Sequence, residues 1–308
     1  MSEKNNKSAL LEKEKPASGK KPVDRSQKKE SRLRDVLKIM VHKPTCLIGM
    51  IIICLMIICI FLIPAISPYS YEQIDPSNAY TSPCLQHPFG TDNLGRDQLV
   101  RVFYGGRYTL SIGIFSTAIA LSIGIILGGI AGFFGGTVDN LIMRFLDIWQ
   151  AFPQLLMAIM LSAVFGTGFD KTIIALGITA MPAFARMLRA NILTVRKQEY
   201  IDAATTINCS TPRIIASHAL PNAMSPLIVQ TSMQIAQAGM NASALSFLGL
   251  GIQPPTPEWG ALLAASRSQV RYYPYLCLFP GLAIMITTLS FNLIGDGLRD
   301  ALDPKLRR

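Results

Sequence analysis

Apolar residues in this chain are gathered into long uncharged runs with short polar stretches between them, and they follow no fixed period. The hydrocarbon core of a bilayer is about 30 Å thick, and a helix crosses it with about 20 apolar residues. Six runs meet that length, at 46–66, 108–134, 141–165, 172–192, 223–248 and 275–294. The pattern predicts an all-α integral membrane protein with six transmembrane helices in a lipid bilayer.

Composition supports this and charge orients it. Half of the 308 residues are hydrophobic and only 16% are charged, against about a quarter in soluble domains. The formal charge of +10 is concentrated at 1–43, in Lys20, Lys21, Lys28, Lys29, Arg32, Arg34 and Lys38 among others. That tail is rich in Lys, Ser and Glu and lacks aromatics, so it is expected to be largely disordered to about Ser31. It is too long and too basic for a secretory leader. Its basic residues read as a topology signal, with no nucleic-acid partner expected. With the N-terminus inside, the Lys and Arg of 186–213 and Arg299, Lys305, Arg307 and Arg308 also fall inside. Only Arg96, Arg101, Arg107, Lys171, Arg267 and Arg271 fall outside. Both termini are therefore expected in the cytoplasm. The expected organisation is a tail (1–43), a first transmembrane helix (44–68), an outer loop (69–107), a five-helix core (108–298) and a C-terminal tail (299–308). An inner polar loop, 193–222, interrupts the core.

Within that inner loop the residues spell a bent, surface-lying element. Glu199 and Asp202 are three apart and share a helix face. Ala203 and Ala204 beside them are small enough to let that helix seat in a groove, and Tyr200 and Ile201 add apolar anchoring area. Thr211 followed by Pro212 reads as an N-cap and a first helical proline, starting a second short helix. Pro221 marks the handover to the fifth run.

Other features bear on packing. Gly124, Gly128, Gly132 and Gly136 recur every four residues. On a helix they form one smooth stripe that allows another helix close approach. Pro64, Pro153, Pro182 and Pro280 lie in or near the runs, where proline is either a kink or simply tolerated. Arg144 and Asp147 lie three apart in the third run, and an internal ion pair is the favoured reading because charge is costly in lipid. Arg186 and Arg189 close the fourth run as anchors, and Asn241 and Asn292 offer either interhelical hydrogen bonds or a polar lining for a pore.

Three further segments carry recognisable motifs. They are His87-Pro88-Phe89-Gly90-Thr91-Asp92-Asn93-Leu94-Gly95-Arg96-Asp97, then Leu245-Ser246-Phe247-Leu248-Gly249-Leu250-Gly251 with Pro254-Pro255-Thr256-Pro257-Glu258-Trp259-Gly260, then Gly295-Asp296-Gly297-Leu298-Arg299-Asp300-Ala301-Leu302-Asp303-Pro304. Together with the inner loop they resemble the dipeptide/oligopeptide (peptide/nickel) branch of ATP-binding-cassette importer permeases, with the second, C-type permease subunit of dipeptide importers as the nearest type. The likeness spans about 69–308. In the loop, Asp202-Ala203-Ala204 stands for the family's Glu-Ala-Ala. Asn208 takes its glycine position, which Asn fills because it tolerates a left-handed backbone. His218-Ala219-Leu220-Pro221 stands for its Ile-x-Leu-Pro, with His218 in place of isoleucine.

The resemblance implies a type I importer permease fold and a coupling role for the inner loop, which docks on a separate ATPase subunit. It further implies a homologous permease as heterodimer partner, two ATPase subunits that carry the ATP and Mg, and an extracytoplasmic peptide-binding protein. The setting is a bacterial plasma membrane, and the cargo is di- or oligopeptide, with nickel–chelate or glutathione as alternatives. Asp92, Arg96 and Asp97, or Glu258 and Trp259 at the outer interface, are candidate contacts for the binding protein.

The chain itself is expected to be non-catalytic and to bind no cofactor or metal. Gly166-Thr167-Gly168-Phe169-Asp170-Lys171-Thr172 mimics a phosphate-binding loop, but Asp170 would repel phosphate. His42, His87 and His218 fall on opposite sides of the membrane, and no Cys-x-x-Cys pair occurs among the six cysteines. An ion-coupled secondary transporter, the rival from another class, would need acids at midplane. No acid lies deeper in the runs than Asp147.

Overall fold

The computed structural model describes residues 38–302. The expectations for 1–37 and for Lys305, Arg307 and Arg308 lie outside that range. Helix α1 is Pro44–Ile66, α2 Gln98–Phe134, α3 Gly136–Gln150, α4 Gln154–Phe165 and α5 Phe169–Val195. Three short pieces follow: α6 (Glu199–Thr206), α7 (Thr211–Ile214) and, after a π-helical turn at Ile215–Ala219, α8 (Leu220–Ala223). The chain ends with α9 (Ser225–Phe247), α10 (Trp259–Ser266) and α11 (Tyr275–Leu302). Among the described residues there is no strand, only an isolated bridge between Thr91 and Asp97.

Among the described residues four helices, α1, α2, α5 and α11, are long and apolar enough to cross a membrane. The third expected span is not one straight helix, because α3 and α4 meet at an 86° bend. The break falls at 151–153 and includes Pro153, whose missing N–H and ring weaken a helix at that point. Pro64, Pro182 and Pro280 remain within unbroken helices. The fifth span, α9, has 23 residues but carries Gln230, Gln234, Gln237 and Asn241. Those amides are tolerated because α9 is an inner helix, packed by α2, α5, α10 and α11. Helix α2 begins ten residues before the expected span. Asp97 caps it, its carboxylate accepting from the Val100 N–H at 2.9 Å.

Close approach of backbones holds the bundle together. A Cβ on Gly124 would lie 2.4 Å from the Phe184 Cβ, and one on Gly128 would lie 2.3 Å from the Ala185 carbonyl oxygen. On Gly132 it would lie 3.0 Å from the Arg189 carbonyl oxygen. These three glycines form the seam between α2 and α5. Gly136 does not belong to it: it opens α3 with φ +56° and has open space where a Cβ would be. Around the seam, Ala120, Ala180, Phe184, Leu188, Ile192 and Leu227 make a continuous buried cluster. Helix α1 is peripheral and lies on α11, where Lys43 pairs with Asp300 and Gly297 admits the Cys46 side chain.

Candidate functional site

The 199–222 segment folds as an elbow with two distinct faces. Ile201 and Ala204 of α6 and Ile214 of α7 are buried together against Phe133, Val195 and Cys209. Glu199, Tyr200, Asp202, Ala203 and Asn208 point away from that base and are exposed. Of the two apolar residues, Ile201 is buried in the base and Tyr200 lies outside it, on the exposed face. Between the two helices Asn208 adopts φ +56°, the left-handed conformation that reverses the chain. The second helix starts one residue earlier than expected: Ser210 is its N-cap and Thr211 its first residue, with Pro212 next and exposed. His218 lies in the π-helical turn, half-buried, and its carbonyl accepts from the Asn222 side-chain amide at 2.7 Å. Leu220 packs on the seam cluster. Pro221 sits inside α8, so the handover to α9 comes four residues later, at Ser225.

At the opposite end of the bundle the 69–97 loop is a dense hydrogen-bonded knot. The Asp92 carboxylate accepts from the Leu94 N–H (2.8 Å), the Arg96 N–H (3.0 Å) and Arg96 Nε (2.7 Å). Asp97 both caps α2 and meets His87 Nδ1 at 2.8 Å. Gly95 must be glycine: its φ is +72°, and a Cβ would sit 1.7 Å from the Asp75 carbonyl oxygen. Stacked rings fasten the knot to neighbouring segments, Phe89 on Phe279 at 3.8 Å and Tyr80 on Tyr273 at 4.2 Å. Arg96 is partly exposed, whereas Asp92 and Asp97 are buried.

Glu258 and Trp259 do not face outward. Glu258 is 0% exposed; its carboxylate accepts from the Thr109 hydroxyl (2.9 Å), the Ser243 hydroxyl (2.9 Å) and the Ala261 N–H (3.1 Å), capping α10. Trp259 is 1% exposed and its Nε1 donates to the Val102 carbonyl at 2.8 Å. An interfacial ring keeps its N–H in water. Here a backbone carbonyl of α2 takes that N–H, so both side chains lock the segment against α2 and α9 and offer no surface contact.

Comparison with known proteins accounts for this arrangement. Residues 124–308 match the family model described as the binding-protein-dependent transport system inner membrane component, and residues 31–88 match the N-terminal transmembrane domain of oligopeptide transport permease C. The chain belongs to that inner-membrane permease family. It is 42% identical over 274 residues to the dipeptide transport system permease protein DppC of Alkalihalophilus pseudofirmus, covering 89% of this chain and 90% of that protein. It is 45% identical over 260 residues to the glutathione transport system permease protein GsiD of Escherichia coli, covering 84% and 86%. The di/tripeptide permease DppC of Pseudomonas aeruginosa is 40% identical over 288 residues, covering 90% and 93%. Among solved structures, an inward-facing form of the MetNI methionine ABC transporter matches with TM-score 0.55 at 15% identity, covering 66% of this chain and 96% of that one. That likeness is one of fold. This permease is thus a multi-pass inner-membrane protein with the ABC-importer permease fold.

On α3 of the permease, Asp139 and Asp147 pair with α5 and not along their own helix. Asp147 on α3 accepts from Arg186 on α5 at 2.7 Å, so Arg144 is not its partner. Arg189 grips Asp139 with two guanidinium nitrogens, Nε and Nη2, one to each carboxylate oxygen. Three apart on one helix, Arg144 and Asp147 invite a local pairing; α5 packs alongside α3, however, and brings its two arginines to the same face. Sequence reasoning also missed Ile207, 78% exposed at the tip of the elbow. An apolar residue directly before a left-handed Asn, inside a polar loop, was the available signal.

Proposed function

We propose that this permease is one half of the membrane channel of an ATP-driven importer for di- and oligopeptides. A homologous permease completes the path, two ATPase subunits bind ATP and Mg, and an extracytoplasmic binding protein delivers cargo. Both termini and the elbow face the cytoplasm. The chain carries no catalysis of its own: it couples the ATPases to the pore through Glu199, Tyr200, Asp202, Ala203 and the tip residue Ile207.

The observation that carries this reading is the two-faced elbow. A helix held from beneath by Ile201, Ala204 and Ile214 presents a mixed acidic and apolar surface to a partner, as a force-bearing joint must. Names of the relatives at 40–42% identity supply the peptide cargo. The relative at 45% identity is named for glutathione, itself a small peptide, and keeps that cargo as the second reading. The outer knot, with partly exposed Arg96, is the surface offered to the binding protein.

Cysteine placed at Tyr200 is expected to crosslink to the ATPase subunit in the assembled importer. Replacing Ala203 by Trp is expected to abolish uptake while membrane insertion stays normal. Uptake at the wild-type rate with Trp at 203 would refute the coupling role. The ligand of the cognate binding protein, measured by calorimetry against dipeptides, tripeptides and glutathione, decides between the two cargoes.

A further inference from the structure

The bend between α3 and α4 opens onto a cavity of about 280 Å³. Non-helical backbone at membrane depth is tolerated only where protein buries it or where it lines a water-filled cavity. Trp149, Gln150 and Gln154 line the cavity from the bend, Thr179 from α5 and Gln234 from α9. Thr179 lies near the midpoint of α5 and Gln234 near that of α9, which places the cavity halfway through the bundle.

The Thr179 hydroxyl donates to the Leu176 carbonyl at 3.0 Å, but other polar groups of the lining lack partners. Gln234 is 7% exposed, and its side-chain amide makes no hydrogen bond among the described residues. The Nε1 of Trp149 is likewise buried without an acceptor. The Gln234 amide, unpaired within the protein, instead opens into the cavity from a residue that is otherwise buried, and is free to bond what enters there. No charged residue lines the cavity. Glutamine offers both a donor and an acceptor, the complement of a peptide group's C=O and N–H. A charge-reading or metal-reading site would need ionised ligands, which are absent from this lining.

We propose that this cavity is a hydrogen-bonding station for the main-chain amides of the cargo as it passes through the membrane. Gln234 from α9 and Gln154 from α4 engage the peptide group. The station rests on the peptide-importer reading above and adds to it a side-chain-blind basis for cargo choice: amide groups are read, and side chains and net charge are not.

The test uses the complete importer in proteoliposomes with its binding protein, and two cargoes, trialanine and trialanine methylated on its central amide nitrogen. Wild-type uptake of the methylated cargo is expected to be about 10-fold slower, the scale of one lost hydrogen bond to a buried group. In Gln234→Leu and in Gln154→Leu, trialanine uptake is expected to fall about 10-fold, while the penalty for methylation shrinks below about 2-fold. ATP hydrolysis stimulated by the loaded binding protein reports folding and assembly, and should stay within about 2-fold of wild type if the two changes act only on the cargo. Full trialanine uptake by both variants overturns the station alone. So does a methylation penalty that persists in them, or uptake and ATP hydrolysis falling in the same proportion, which would make the glutamines packing groups. A wild-type importer that moves neither cargo overturns the peptide reading, and the station with it.

Discussion

Gly128 and Gly129 are neighbours on α2, and the structure predicts opposite outcomes for the same substitution. A methyl added at Gly128 would lie 2.3 Å from the Ala185 carbonyl oxygen and 3.0 Å from the Ala185 Cα, both backbone atoms of α5. Backbone cannot swing aside as a side chain does. Ordinary contact therefore requires α2 and α5 to separate by about 1 Å, undoing packing along the seam shared with Gly124 and Gly132. Overpacking of this kind costs about 1–3 kcal/mol, and a rigid neighbour puts Gly128→Ala at the upper end. Alanine returns about 1 kcal/mol through its better helix propensity, leaving a net loss of about 2 kcal/mol. At Gly129 a Cβ meets nothing within 4 Å, so only the propensity gain applies. Thermal unfolding of the purified chain in detergent separates the two. With about 2–4 °C per kcal/mol for a chain of this class, Gly128→Ala should unfold about 4–8 °C lower, while Gly129→Ala should match or slightly exceed wild type. A Gly128→Ala protein as stable as Gly129→Ala would show that the seam is not closely packed, and the argument for a rigid α2–α5 pair would fail.

Three further outcomes follow from the geometry. Glu258→Ala strips the acceptor from two hydroxyls and one backbone N–H in a fully enclosed site, and should cost about 3 kcal/mol or more by thermal unfolding, with Glu258→Gln, which keeps one oxygen, costing about half as much. At Asn208, with φ +56°, glycine should be neutral, whereas valine should cost about 1–2 kcal/mol and speed protease nicking of the elbow. Arg189→Met strands the buried Asp139 and should destabilise by about 2–3 kcal/mol, whereas Arg186→Met, whose partner Asp147 has a side chain 55% exposed, should change the unfolding temperature little.

The long helices were legible because run length is a direct measure of what lipid can cover. Where the sequence misled, a contact distant along the chain decided the outcome. Trp259 looked interfacial because tryptophan collects at membrane surfaces, yet a carbonyl 157 residues away takes its N–H. Arg144 and Asp147 looked like a pair because they are three apart, yet the partner of Asp147 lies 39 residues on. Pro153 was visible as a breaker, but an 86° bend and the cavity behind it depend on how α5 and α9 fill the far side. On the elbow the local signals were good: Asn208 announced a left-handed turn. The face that Ile201 would take was set by Phe133 and Val195, which no local pattern shows.

These placements constrain how force would travel on the importer reading. The base of the elbow rests on Phe133, at the end of α2, and on Val195, the last residue of α5. Those two helices share the glycine seam, and α3 is bonded to α5 through Asp139–Arg189 and Asp147–Arg186. A push on α6 therefore cannot move α5 alone; α2 and α3 must follow as one body. Helix α4 turns away from α3 at the 151–153 bend but packs on α5 through Ala158 and Ile159, so it moves with that unit. A displacement of this unit against α9 would reshape the cavity lined by Gln154 and Gln234. The elbow and the cavity are separated along the bundle, yet every element between them is packed backbone to backbone or tied by an ion pair, and that continuity is what a coupled transporter requires.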